Sequence, residues 1–197
     1  MNSKSTKDRI LDSALTLFAD KGYDGVGVDL IAENAGLKGP SLYKHFGGKE
    51  AILDALIGKV EDYYEMHFGS ELNPGIIPSS MSELTDISLA RIRFTLHDET
   101  IVKTRRILTM EQFRSRRIAR LATLHGMDGI QGLYRRIFEG MIEGGIVRQE
   151  DPGLLSVEFT SPITLFIQLC DREPERESEA MERIEAHMRH FASVYGA

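Results

Sequence analysis

Three lysines (Lys38, Lys44 and Lys49), one histidine (His45) and one tyrosine (Tyr43) fall between Gly36 and Lys49, and no carboxylate interrupts them. Cations and hydroxyls set this close together are chemistry for polyanions. Lysine donates to phosphate oxygens or to guanine O6 and N7, and hydroxyl and imidazole groups donate to phosphate. The net charge of −6 argues the other way for the chain as a whole. Its distribution resolves the conflict. Residues 1–60 hold eight Lys/Arg against eight Asp/Glu, so of the totals of 24 and 30, 16 basic and 22 acidic residues follow residue 60. Phosphate binding depends on local charge, because salt screens fields beyond about 8–10 Å.

Other chemistries lack their residues. There is no Gly-x-Ser-x-Gly, no phosphate-binding glycine loop and no His-Glu-x-x-His, so no enzyme is expected. His187 and His190 share a helix face, but no Cys or carboxylate falls beside them, so neither a metal site nor a cofactor is expected. The single Cys170 excludes an internal disulfide framework and fits a reducing compartment. No apolar segment follows the N-terminus, and the apolar stretch Pro162–Cys170 is too short to span a bilayer. These features point to a cytoplasmic protein without a membrane partner.

The elements that must position the cationic cluster are helices. Ile10, Leu11, Ala14, Leu15 and Phe18 repeat at helical spacing and predict a helix from about Ser5 or Thr6 to Lys21, stopped by Gly22. A second helix is expected over 28–35, ended by Gly36. A third should start at Gly39-Pro40, where Pro loses nothing at the first helical position, and end at Phe46 before Gly47-Gly48. Two short helices joined by a tight Gly-containing turn make a helix-turn-helix. A longer connector helix is expected from Lys49 to about Phe68, then a loop over 69–80. Ser80-Met81-Ser82-Glu83 reads as a capping box opening a helix to about His97. Further helices are expected over 99–113, 116–124 and 127–143, with Gly144-Gly145 as a stop. Asp151-Pro152 should cap and start a helix to about Cys170, kinked at Pro162, and Pro174 should open the last helix to about Tyr195.

The run from Leu30 to Leu53, which includes Ala35-Gly36-Leu37, Leu42-Tyr43-Lys44-His45-Phe46 and Lys49-Glu50, resembles the DNA-binding signature of the TetR family. Ala14, Leu17, Phe18 and Gly22-Tyr23 extend the match over about the first fifty-five residues. The resemblance implies phosphate contacts from Tyr43, His45 and Lys49, and an approach to bases from Lys38, Gly39, Pro40, Ser41 and Lys44. Leu37, Leu42 and Phe46 would hold the recognition helix against the first helix. Taken singly, each of these residues is equally a packing residue or a solvated charge; the constellation carries the reading. Two positions depart from the family pattern. Gly27 stands where Thr or Ser is usual, and Lys38 where Ser is common, so the hydroxyls those positions bring to helix caps and phosphates are missing.

The C-terminal part resembles the regulatory half of a TetR subgroup at Gly144-Gly145-Ile146-Val147-Arg148, Asp151-Pro152, Cys170-Asp171-Arg172 and Pro174-Glu175-Arg176-Glu177. That implies a helical domain that dimerises and often binds a small molecule. Met181, Ile184, Met188, Phe191 and Tyr195 form a heptad-like seam, and the helix before it is apolar on all sides, so one surface is available to a second subunit. An effector pocket is expected between the middle helices, lined by Phe94, Met110, Phe113, Tyr134, Phe138, Met141, Phe159, Ile163 and Phe166, with the Tyr134 hydroxyl as its polar handle. Each of these is equally an ordinary core residue.

The sequence therefore predicts an all-α protein: a three-helix helix-turn-helix domain over 1–48, and a helical ligand-sensing and dimerisation domain over 49–197. The expected function is a dimeric, sequence-specific transcriptional regulator, a repressor released from pseudo-palindromic double-stranded operator DNA by a small, largely apolar effector. The alternative is a DNA-binding adaptor of the same fold, regulated by a protein partner and lacking an effector.

Overall fold

A computed structural model of the chain describes residues 4–68 and 77–197. Of the loop expected over 69–80, residues 69–76 lie outside the described residues. Among the described residues the chain is helical throughout, with one isolated β-bridge between Val147 and Gly196. The helices are α1 (Thr6–Lys21), α2 (Val28–Asn34), α3 (Gly39–Leu42), α4 (Lys49–Phe68), α5 (Met81–His97), α6 (Glu99–Glu111), α7 (Arg116–Thr123), α8 (Gly129–Glu143), α9 (Pro152–Arg172) and α10 (Glu177–Tyr195). A π-turn over Leu124–Asp128 joins α7 to α8, and a 3₁₀ turn over Pro174–Arg176 precedes α10.

The helix ends follow from local chemistry. The Ser5 and Ser80 side chains accept the backbone N–H groups of Asp8 and Glu83, and the Asp151 carboxylate accepts those of Gly153 and Leu154. Glu83 completes its box one residue early, accepting from the Ser79 N–H instead of that of Ser80. Gly145, at φ +69°, closes α8. Its N–H donates to Ile142 O and that of Ile146 to Met141 O, the paired bonds of a left-handed helix stop.

The residues group into two compact units. The first comprises residues up to His67 together with Glu99–Ala119; the second comprises Phe68–Asp98 and Arg120–Ala197. Contact thus places α4 and α6 with the first three helices, while the boundary expected between residues 48 and 49 falls at the start of α4. In the first unit α1 packs on α2 and α6, and α2 on α3. Its core includes Ile10, Ala14, Phe18, Ile31, Leu42, Ile52 and Leu56.

In the second unit α8, α9 and α10 pack on one another. The core is aromatic at its centre. The rings of Phe138, Phe159 and Phe191 lie 5.0–5.6 Å apart, Tyr134 stands 4.9 Å from Phe159, and Tyr195 stands 4.6 Å from Phe191. The α10 seam is turned into this core: Ile184, Met188 and Phe191 are buried in it, with Met181 and Tyr195 packed at its edge. The outward apolar face is on α9, where Leu154, Val157 and Leu165 are exposed. The apolar stretch expected at Pro162–Cys170 is the second half of a helix that, by length and composition alone, is long enough to cross a membrane. Its inner face is part of the core just described.

Candidate nucleic-acid interface

The cationic cluster is held by an apolar anchor and a backbone clamp. Leu42 is fully buried and Phe46 nearly so, while Leu37 is half-buried. Gly36, at φ +67°, ends α2: its N–H donates to Glu33 O, and the Leu37 N–H donates to Ala32 O. From α1, the Arg9 guanidinium donates to the Ala35 and Gly36 carbonyls at the negative end of α2. A Cβ at Gly36 would come within 2.9 Å of Arg9 Nη2, so this position must be small as well as left-handed. Both N-caps lack a side-chain hydrogen bond, at Gly27 for α2 and at Lys38 for α3, as the two departures from the family pattern imply.

The third helix is shorter than expected. Its α-helical part ends at Leu42, and Tyr43–His45 continue as turns. The N–H groups of His45 and Phe46 both converge on the Leu42 carbonyl, which tightens the chain ahead of Gly47-Gly48. Around this turn Lys38, Pro40, Tyr43 and Lys44 are exposed, with Tyr43 at 57%, and Gly39, Ser41, His45 and Lys49 are half-buried. All eight residues expected at the interface therefore lie on one short stretch, with their neighbours Leu42 and Phe46 turned inward.

Lys49 has a second task. Its Nζ donates to the Tyr23 carbonyl at 2.8 Å and sits 4.2 Å from the centre of the Tyr23 ring. The Arg114 guanidinium lies 4.5 Å from the same ring. The buried Glu111 carboxylate accepts the Tyr23 N–H at 2.9 Å and the Arg114 Nε–H; Arg114 also reaches Asp24 at 2.6 Å. The two carboxylates keep Arg114 firmly protonated, and burial pushes the Tyr23 hydroxyl up. Lys59 of α4 pairs with Asp12 at 2.8 Å and Asp8 at 3.5 Å, and Arg117 pairs with Asp54 at 3.1 Å. Arg9, Glu111 and Arg114 are positioning residues that sequence reasoning did not find. Their partners lie 26, 88 and 90 positions away, and no local spacing announces them.

Residues 10–56 match the family described as bacterial regulatory proteins, tetR family. That segment of the chain is similar to the TetR family. Over 57 residues it is 46% identical to the biofilm operon icaADBC negative transcriptional regulator IcaR of Staphylococcus aureus, and over 58 residues 41% identical to that of Staphylococcus epidermidis. Each match covers 29% of this chain and 31% of the relative. The fold is similar over a much longer span. A Mesorhizobium loti protein described as a TetR-family transcriptional regulator superposes with a TM-score of 0.72 at 22% identity, covering 98% of this chain and 97% of the other. The complex of SmeT, a Stenotrophomonas maltophilia repressor, with triclosan superposes with a TM-score of 0.73 at 17% identity, covering 98% and 93%.

The residues expected to line an effector pocket are divided. Tyr134, Phe138, Met141, Phe159 and Ile163 meet in the core of the second unit, with Phe166 packed against them. Phe94 and Met110 are exposed, and Phe113 is 93% exposed on the first unit. Their apolar character alone could not tell inward from outward. The Tyr134 hydroxyl is engaged: it donates to Ser88 Oγ at 2.7 Å, and Ser88 donates to the Leu84 carbonyl at 2.6 Å. Burial pushes the pKa of this hydroxyl up, so it stays protonated.

Proposed function

We propose that this chain is a sequence-specific DNA-binding transcriptional repressor that acts as a cytoplasmic homodimer, with residues 1–48 reading DNA and residues 49–197 sensing and dimerising. The observation that carries the reading is the exposed set Lys38, Tyr43 and Lys44, held over buried Leu42 and Phe46 within the family-matched segment. Phosphate contacts supply most affinity, and base contacts select sequence. IcaR, similar over this segment, is a negative transcriptional regulator. Enrichment of bound duplexes from a random pool, then anisotropy titration, tests the proposal. Enrichment of one pseudo-palindromic sequence is expected; a wild-type chain that enriches none refutes it.

The dimer is proposed to cover Leu154, Val157 and Leu165 on α9. These side chains are exposed within one chain, so Leu165→Glu should leave the fold intact and shift sedimentation from dimer to monomer. A Leu165→Glu dimer would place the interface elsewhere.

The effector is proposed to be a small, largely apolar compound that favours a conformation with low operator affinity. The solved SmeT–triclosan complex supports an effector in this fold. By linkage, DNA must weaken effector binding by the factor with which the effector weakens DNA binding. The closed Tyr134–Ser88 bond favours the second reading, an adaptor answering to a protein partner. Calorimetric titration with and without operator separates the two.

A further inference from the structure

Arg136 is out of keeping with the arginines around it. Arg135 pairs with Glu139, Arg176 with Glu173 and Glu179, and Arg183 with Glu179, all at the surface of the second unit. Arg136 has its Nε and Nη2 buried, and among the described residues neither atom has a hydrogen-bond partner. The carboxylate one turn along α8, Glu139, is already taken by Arg135. Arginine cannot shed its proton to escape this situation, and a cation drawn from water without a partner is strongly disfavoured.

The two nitrogens left over form one edge of the guanidinium. That edge presents two parallel N–H groups, the fork that receives both oxygens of a carboxylate or two oxygens of a phosphate. Glycines flank Arg136 along α8. Gly129, Gly132 and Gly140 lie at helical spacing on the same side of α8. A Cβ at Gly132 would stand 3.8 Å from Arg136 Nη1, so the guanidinium lies back along the helix over that glycine. At the other end, Ile77 closes on Gly140, where a Cβ would meet it at 2.9 Å. One further turn back is the π-turn that contains His125, an element frequent at functional sites. Burial pushes His125 down to about 4, so it adds a neutral imidazole and no competing charge.

We infer that Arg136 is the anion receptor of the regulatory half: its Nε–Nη2 edge holds the carboxylate or phosphate head of an otherwise apolar effector. The inference rests on the effector reading above and sharpens it, because a purely apolar ligand would leave the fork unpaired.

The test uses the full chain with three probes of one apolar length: decanoate, decyl phosphate and decanol. Calorimetry should show at least one of the two anions bound about tenfold or more tighter than decanol, and which one identifies the head group. Arg136→Met should bring all three within about twofold and should itself melt higher than the wild type without ligand. Arg136→Lys, which keeps the charge and loses the fork, should retain part of the preference. Arg135→Met should retain all of it. An anion preference that survives Arg136→Met, or a wild type that binds neither anion better than decanol, overturns the inference. Titrating selected operator DNA in the presence of each probe keeps the two readings apart. Anion binding through Arg136 that leaves DNA affinity unchanged removes the effector reading and keeps the site. Decanol alone lowering DNA affinity keeps the effector reading and removes the site.

Discussion

Glu111 in the first unit and Arg136 in the second are both charged groups drawn away from water, and their surroundings differ. Glu111 accepts from the Tyr23 backbone and from Arg114, so its charge holds the loop after α1 against the end of α6. Among the described residues, Arg136 keeps an edge of its guanidinium unpaired. The same contrast runs through the neighbouring residues. The first unit is tied by long-range ion pairs and cation–π contacts around Tyr23, and the exposed Lys38 and Lys44 flank α3. The second is built on tilted and edge-on aromatic rings, with the Tyr134 hydroxyl closed on Ser88. A charge that completes a fold spends its hydrogen bonds internally, whereas one meant for a ligand must keep some in reserve.

The largest expected effect breaks the second unit alone. Phe138 is fully buried among Phe159, Phe191 and Tyr134, so Phe138→Ala should cost about 3–5 kcal/mol in denaturant unfolding. If the contrast between units holds, DNA affinity per folded molecule should change far less than stability. Next is the first unit's surface. Tyr43→Ala with Lys44→Ala should weaken operator binding about 100-fold, flatten its salt dependence and leave the melting temperature nearly unchanged. Binding at wild-type strength would remove the interface from this turn.

Glu111→Ala should cost about 2 kcal/mol, because the buried Tyr23 N–H loses its acceptor while Arg114 keeps Asp24. Hydrogen exchange should show the loosening around Tyr23 and Lys49 and not in α8–α10. A neutral Glu111→Ala would reduce this network to surface decoration. Tyr134→Phe should cost about 1 kcal/mol, since it loses one bond to Ser88 while Ser88 keeps Leu84.

The last expected effect is a pH dependence. His125 is held at about 4 against an ordinary value of 6.5, so the folded state binds fewer protons than the unfolded chain between these values. Above about 6.5 the imidazole is neutral in both states and contributes nothing to pH dependence. As pH falls from 6.5 toward 4 stability is lost, and His125→Gln should lose less over that window. Parallel melting curves for the two proteins would show that His125 is not buried as described.

Much of the fold was legible because it is written locally. The Ser5, Ser80 and Asp151 caps, the glycine stops at Gly36 and Gly145 and the inward face of α1 all depend on residues within one or two turns. The cationic stretch from Lys38 to Lys49 was legible for the same reason. The exception there is the length of α3, which stops at Leu42 because two N–H groups share one carbonyl.

What periodicity leaves open is what an apolar face meets. The Met181–Tyr195 repeat and the apolar surround of α9 read alike, yet the first is turned into the chain's own core and the second leaves Leu154, Val157 and Leu165 outside. Phe113, in the turn after α6, and Phe138, within α8, are the same residue type, one almost wholly exposed and one fully buried. Charges are more ambiguous still. Lys49 and Glu111 look like ordinary surface residues in a list, and only the fold brings both to Tyr23. Arg135 and Arg136 stand side by side; a local i,i+4 carboxylate serves the first, and only the fold buries two nitrogens of the second without a partner among the described residues. By itself, then, the amino-acid sequence determined the helices, their ends and the cluster of cations, because backbone hydrogen bonding and amphipathic spacing act over a few residues. Tertiary structure decided which charges are paired and which faces are covered, because those depend on groups brought together from tens of residues apart.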